Sequence, residues 1–389
     1  MQHRLSTSVI SVHPQPDPDL AVAYLDGTQS AEPLFVEARR LRDHGKGRVV
    51  TYSPKVFIPL TTMCRDQCTY CTFVKPPGNG GVYLTPDDVM AIALAGDRHG
   101  CTEALFTLGD APETKYPAAR EFLSSVGCAT TMDYVVAMTE RVHQETGLFP
   151  HANPGVMSEE AITRLRPSNP SVGLMLENIS PRLTEPGMPH FNCPDKIPGV
   201  RVETIEAAGR QRVPFTTGIL VGIGENNQEI VDSIFALATL QERWGHIQEV
   251  IIQNFRAKAD TRLRFGAEPI PSWFARVVAL ARWIMGPTMN VQVPPNLTER
   301  YETYLDAGIN DWGGVSPLTI DWVNPEAPWP HLADLAGRTR AAGFELRPRL
   351  PVYPEYLSQD WLDAGVLDKA RSASTTDGYG RAPNVASSG

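Results

Sequence analysis

Short apolar runs alternate with amphipathic helical patterns eight times along this chain, and that alternation limits its fold more than any other feature. The strand-like runs are Val56–Leu60, Ala104–Leu108, Leu148–Asn153, Val172–Leu176, Phe215–Val221, Val250–Gln253, Val291–Val293 and Ile309–Gly313. Helical periodicity fills the intervals over Pro86–His99, Met132–Thr146, Ser158–Leu165, Val200–Arg212, Gln228–Trp244, Ser272–Met285, Glu299–Ala307 and Leu332–Ala342. Strands linked through helices lie parallel. Eight such units in roughly 260 residues predict an α/β fold, a closed (β/α)8 barrel of the TIM type. We expect the barrel over 50–355, after a 1–49 extension with one amphipathic helix near Glu32 to His44. Beyond it, 356–389 reads as a largely disordered tail, because Ser372 to Gly378 are small and polar.

Composition narrows the function. A net charge of −9 speaks against a general nucleic-acid grip, which needs clustered cations. No apolar run reaches the ~18 residues of a membrane span. The opening Met1 to Thr7 does not read as a secretory leader. Six cysteines are few for a disulfide scaffold, and Cys101, Cys128 and Cys193 stand singly, as small buried hydrophobes do. Reduced thiols predict a cytoplasmic protein.

The other three cysteines carry the chemistry. Cys64, Cys68 and Cys71 follow the first strand with C-x3-C-x2-C spacing. A structural zinc site wants four ligands, commonly two separated knuckles, and no fourth Cys or His lies nearby. A cubane iron–sulfur cluster normally takes four thiolates, so three leave one iron open to a ligand that is not protein. In a barrel the loop after a strand lies on the catalytic face. Candidate contact residues, most of them polar or glycine, gather at the other strand ends too. They are Gly109, Asp110 and Glu113; His151 and Asn153; Glu177; Gly218, Leu220, Gly222 and Glu225; Gln253, Asn254 and Arg256; Asn296; and Asp311, Trp312 and Ser316. Gly222-Ile223-Gly224 lacks the third glycine of a dinucleotide loop, since 227 is Asn.

The cysteine spacing, with Tyr70 before the last thiol, resembles the radical S-adenosylmethionine (SAM) superfamily. That resemblance implies a [4Fe–4S] cluster on Cys64, Cys68 and Cys71. Its open iron chelates SAM, which is cleaved to a 5′-deoxyadenosyl radical. It implies SAM contacts from Tyr70, from Gly109 with Asp110 or Glu113 at the ammonium, and from Glu177 at the ribose. Gly218, Leu220, Gly222 and Glu225 match an adenine-flanking strand.

Five longer segments resemble the FO synthase family over about 50–355: Lys55 to Phe73, Glu103 to Asp110, Pro150 to Met157, Gln253 to Lys258 and Asp311 to Thr319. FO is 7,8-didemethyl-8-hydroxy-5-deazariboflavin, a deazaflavin chromophore. One cluster motif implies the first subunit, an ammonia-releasing carbon–nitrogen lyase. It closes the central ring of the 5-amino-5-(4-hydroxybenzyl)-6-(ribitylimino)-dihydrouracil adduct made by a sister subunit. The implied partners are that small-molecule adduct, the sister subunit and a reducing electron donor, with neither nucleic acid nor membrane. Asn153, Gln253, Asn254, Arg256, Asn296, Trp312 and Ser316 are the expected substrate contacts, with His151 and Asp311 as candidate proton carriers. The sister tyrosine-cleaving subunit, a menaquinone-pathway radical SAM enzyme and an iron–sulfur electron carrier are the alternatives.

Overall fold

The computed structural model describes residues 16–381. The first residues of the chain, on which the leader reading rests, lie outside them. Nine strands form one parallel sheet: β1 (Val49–Pro59), β2 (Glu103–Thr107), β3 (Phe149–Asn153), β4 (Ser171–Gly173), β5 (Phe215–Val221), β6 (Ile247–Asn254), β7 (Asn290–Gln292), β8 (Asp311–Val315) and β9 (Glu345–Pro348). Strands β1 to β8 follow one another and close, through β1–β8 and β1–β2 pairing, into the expected barrel. The ninth was not expected. It runs beside the lower end of β1, where Val49 to Tyr52 face Glu345 to Pro348, before that edge passes to β2 at Lys55.

Helices α1 (Pro18–Asp26), α2 (Glu32–Lys46), α3 (Pro86–Arg98), α4 (Pro117–Ser125), α5 (Thr131–Glu145), α6 (Glu159–Leu165), α7 (Pro198–Arg210), α8 (Asn227–Trp244), α9 (Pro271–Met285), α10 (Leu332–Ala341) and α11 (Ala364–Ala373) surround it. Their starts are written locally. Capping boxes open α3 at Thr85 and Asp88, α5 at Thr130 and Asp133, and α8 at Asn226 and Glu229. Proline fills the first turn of α3, α7 and α9, where no amide partner is needed. The apolar sides of helices and strands merge in one core that includes Val56, Ile58, Phe106, Val172 and Ile252. Among the described residues, no helix is long and apolar enough to cross a membrane.

Two expectations need correction. Glu299–Ala307 forms only a 3-10 turn at Tyr301–Leu305. Gly308, at φ 88°, lies so close to the Ala38 carbonyl that a Cβ would sit 2.8 Å away, and the chain turns there into β8. The polar C-terminal segment is ordered as far as 381. Val366, Leu367 and Ala370 give α11 a buried face, and Leu367 and Ala370 pack with Leu350, Val352, Tyr353 and Tyr356 under the barrel. Lys369 Nζ donates to the carbonyls of His143 (2.7 Å), Thr146 and Leu148 (both 2.9 Å), satisfying the open end of α5. Composition hid this order because α11 is stabilised by what it covers, not by its own propensity.

Candidate active site

A cavity of about 330 Å³ enters the barrel from the C-terminal ends of the strands, with Cys64, Cys68 and Cys71 on its wall. The thiol loop leaves β1 and returns at Tyr83, which pairs with Thr61. Gly109, just after β2, faces Met63 so closely that a Cβ would lie 2.1 Å from its carbonyl oxygen. That approach lets the Asp110 amide donate to Cys64 Sγ at 3.1 Å. Backbone donors of this kind tune iron–sulfur ligands.

Burial pushes the Cys64 thiol up to about 12 and raises that of Cys71, while a hydrogen bond from Cys193 lowers that of Cys68. Among the described residues, the one group of three or more Cys, His, Asp or Glu side chains whose ligand atoms all lie within 4.8 Å of one another is Asp66, Cys68 and Cys193. The three motif sulfurs form no such group. Single zinc ions hold sulfurs at about 2.3 Å and therefore close together. A cubane binds each sulfur through a different iron, so the wider spread fits the cluster. Cys193 is no distant core filler but a neighbour of Cys68.

Around the thiols stands a charged wall. Asp110 Oδ2 accepts from the Val156 amide at 2.8 Å, and burial, then the Asp195 charge, push its carboxyl up to about 7. Glu177, at φ 64°, is held by backbone bonds to Gly218 and Leu220. A left-handed residue other than glycine costs about 1–3 kcal/mol and marks a position fixed by its surroundings. Its carboxylate meets Lys196 Nζ at 2.6 Å and Arg201 at 3.8 Å. Tyr70 shares a 2.9 Å hydrogen bond with His190 Nε2, and its ring joins an apolar patch of Leu183, Leu220, Ile223 and Phe255.

The remaining expected residues divide. Asn153, Gln253, Asn254 and Arg256 line the cavity with His151 and Leu220, and Asn254 Oδ1 and Arg256 Nε are buried without a partner. Seven others do not line it, Asp311 among them. Glu113 accepts from the Thr131 amide (3.1 Å) and hydroxyl, capping α5, so Asp110 is the acid at the cavity. Glu225 accepts from the amides of Gly222 (2.5 Å) and Ile223 (2.9 Å), closing the turn after β5. Gly218 packs on Ile251 and Gly222 on Pro269. Asn296 Nδ2 donates to Asp321 and Ala327, and the Ser316 hydroxyl turns to Thr319.

Asp311, a candidate proton carrier, is fully buried beneath the cavity, with its oxygens on Thr51, Arg349 and the Gly313 amide. No lone pair is left for substrate protons. His151 lines the cavity, but burial pushes it down to about 4, a weak base at neutral pH. Trp312 touches the cavity while its ring packs edge-on to Tyr301 and donates to Thr339 of α10. Phe57 stacked on Trp329 at 5.3 Å supplies an aromatic wall to the cavity.

Sequence reading missed Lys196 and Arg201, which reach the site from a loop and a helix. It also missed Lys55, Glu103, Glu249 and Arg349 inside the barrel. A charge within an apolar strand, as in Ile247-Gln248-Glu249-Val250, was the available signal.

Residues 58–237 match the model of the radical SAM superfamily. FO synthase of Streptomyces coelicolor is 52% identical over 344 residues, 85% of this chain and 40% of that protein. The chain thus spans about two fifths of the length of such relatives. The 7,8-didemethyl-8-hydroxy-5-deazariboflavin synthase of Methanopyrus kandleri is 45% identical over 335 residues, covering 86% of this chain and 100% of that one. Two solved structures share the fold at 18% identity. The FeFe-hydrogenase maturase HydG of Carboxydothermus hydrogenoformans has a TM-score of 0.70, with 87% of this chain and 77% of that one covered. Methylornithine synthase has a TM-score of 0.67, with 85% and 94% covered.

Proposed function

The chain belongs to the FO synthase family of radical SAM proteins, and from that membership we propose that it closes the deazaflavin ring of the hydroxybenzyl–ribityl-dihydrouracil adduct with release of ammonia. The observation that carries the reading is one cavity running from three thiols to a polar barrel interior. When bound, the family's [4Fe–4S] cluster and SAM supply a 5′-deoxyadenosyl radical, which takes a hydrogen atom from the substrate.

The chain's own residues do the holding. Cys64, Cys68 and Cys71 ligate the cluster, and the Asp110 amide steadies Cys64. Asp110, whose carboxyl is pushed up by burial, would hold the SAM ammonium as its counter-ion. Lys196 and Arg201 face the SAM carboxylate, and Glu177 accepts from the ribose hydroxyls. Leu220, Ile223 and the Tyr70 ring offer the adenine an apolar slot. Asn254 Oδ1 is an acceptor for a pyrimidinedione N–H, and Phe57 with Trp329 forms a flat wall for an aromatic ring.

The test is anaerobic reconstitution with iron and sulfide, then SAM, a reductant and the adduct. Fluorescent FO, ammonia and 5′-deoxyadenosine should form together. Consumption of free tyrosine with the diaminopyrimidine, and no reaction of the adduct, would reassign the chain to the sister step.

A further inference from the structure

Below the thiols the cavity descends into a layer that is polar, where barrels of this type are usually packed with branched apolar side chains. Lys55 lies roughly 13 Å down β1 from Pro59 at about 3.3 Å per residue, and its Nζ donates to Glu103 at 2.9 Å. Its stem crosses Gly314, where a Cβ would collide with it at 1.9 Å. Arg349, from the segment closing the floor, donates to Asp311 at 2.7 Å and Glu249 at 2.9 Å.

Two groups in this layer are unspent. The Ser171 hydroxyl donates to the Pro351 carbonyl at 2.6 Å, so it accepts from His151 Nδ1–H at 2.7 Å. That tautomer leaves His151 Nε2 as a bare acceptor over Gly173, where a Cβ would lie 2.8 Å away. Gln292, also buried and lining the cavity, has no side-chain hydrogen bond among the described residues. Both belong to a ligand.

The chemistry of the layer selects that ligand. Lys55 and Arg349 already hold carboxylates, so no free cation awaits an anion. An aromatic ring would strand polar groups here, at a desolvation cost. A chain of hydroxyls, each donating and accepting, matches interspersed amide, imidazole and carboxylate groups. We propose that the lower layer binds the neutral polyol arm of the substrate, with Gln292 and His151 as hydroxyl partners, so that both rings stay at the thiol end. The identity of that arm as ribityl rests on the ring-closing reading.

The test is equilibrium binding to the cluster- and SAM-loaded protein. Its two ligands are the ribityl adduct and the same adduct carrying ethyl in place of ribityl. The wild-type protein should prefer the ribityl compound by about 100-fold in Kd. Gln292→Leu and His151→Phe should each weaken it about tenfold while leaving the ethyl compound unchanged. Equal affinity of the wild-type protein for both ligands would overturn the proposal, as would a preference that neither variant reduces. Tight ribityl-selective binding without FO formation would instead defeat the ring-closing reading alone. FO formation without ribityl selectivity would defeat only the polyol subsite.

Discussion

Near the thiols, burial distorts acids that have no cation of their own. Asp110 is pushed up to about 7 and Asp66 to about 6, and Asp66 Oδ1 is buried without a partner. In the lower half of the same barrel, charges of equal burial meet partners, although burial still holds Glu249 up at about 7 beside Arg349. Burial would raise Glu103, but Lys55, His151 and Arg349 hold it at about 2, and Arg349 satisfies two carboxylates at once. The upper half is therefore incomplete until its cofactors arrive, whereas in the lower half the charges pair within the protein and only the neutral groups His151 Nε2 and Gln292 are left for a ligand. The difference separates groups kept for chemistry from groups that hold the barrel open as a polar vessel.

Removing thiols should leave the vessel standing. Cys64→Ala, Cys68→Ala and Cys71→Ala should each lose nearly all cluster iron and reductive SAM cleavage, with the far-ultraviolet circular dichroism of the apoprotein unchanged. Cys101→Ala and Cys128→Ala should retain full iron. Iron analysis after reconstitution decides it, and full iron in a motif variant would overturn the ligand assignment. The converse holds below. Arg349→Met strands Asp311 and Glu249 and should cost the apoprotein ~3–5 kcal/mol in urea denaturation. A loss below about 1 kcal/mol would mean that the floor is not held by this pairing.

Glu177→Gln keeps the shape but removes the charge facing Lys196 and Arg201; it should weaken SAM about 10–100-fold by calorimetry and, by leaving those buried cations unpaired, cost the apoprotein about 3 kcal/mol.

Titration sharpens the contrast further. An acid whose folded pKa is raised is stabilising while protonated. Glu249, pushed from 4.5 up to about 7 by burial, thus contributes fully below pH 4.5 and loses that contribution as pH rises through about 7. Asp110 has the same sign, from 3.8 to about 7. Apoprotein stability should fall by ~5 kcal/mol between pH 5 and 8, roughly half of it from each group. Glu249→Gln and Asp110→Asn should each flatten part of that fall, and cluster with SAM should cancel only the Asp110 part. The smallest effect is expected at Glu113→Gln, which weakens a helix cap by about 1 kcal/mol and leaves SAM affinity unchanged.

The amino-acid sequence by itself determined the eight strands, the barrel they close and the thiol loop, because periodicity and ligand spacing are local. It also selected Asp110, Glu177, Asn254 and Arg256, which follow apolar strands and do line the cavity. Only the tertiary structure decided which acid after β2 faces inward, since Asp110 and Glu113 are equally acidic on paper and one caps α5. It alone drew Lys196 and Arg201 to Glu177, buried Asp311 beneath the floor and ordered α11 against residues far off in sequence. Direction within a closed barrel depends on strand register and on crossing partners, and those pairings join positions that no local pattern connects.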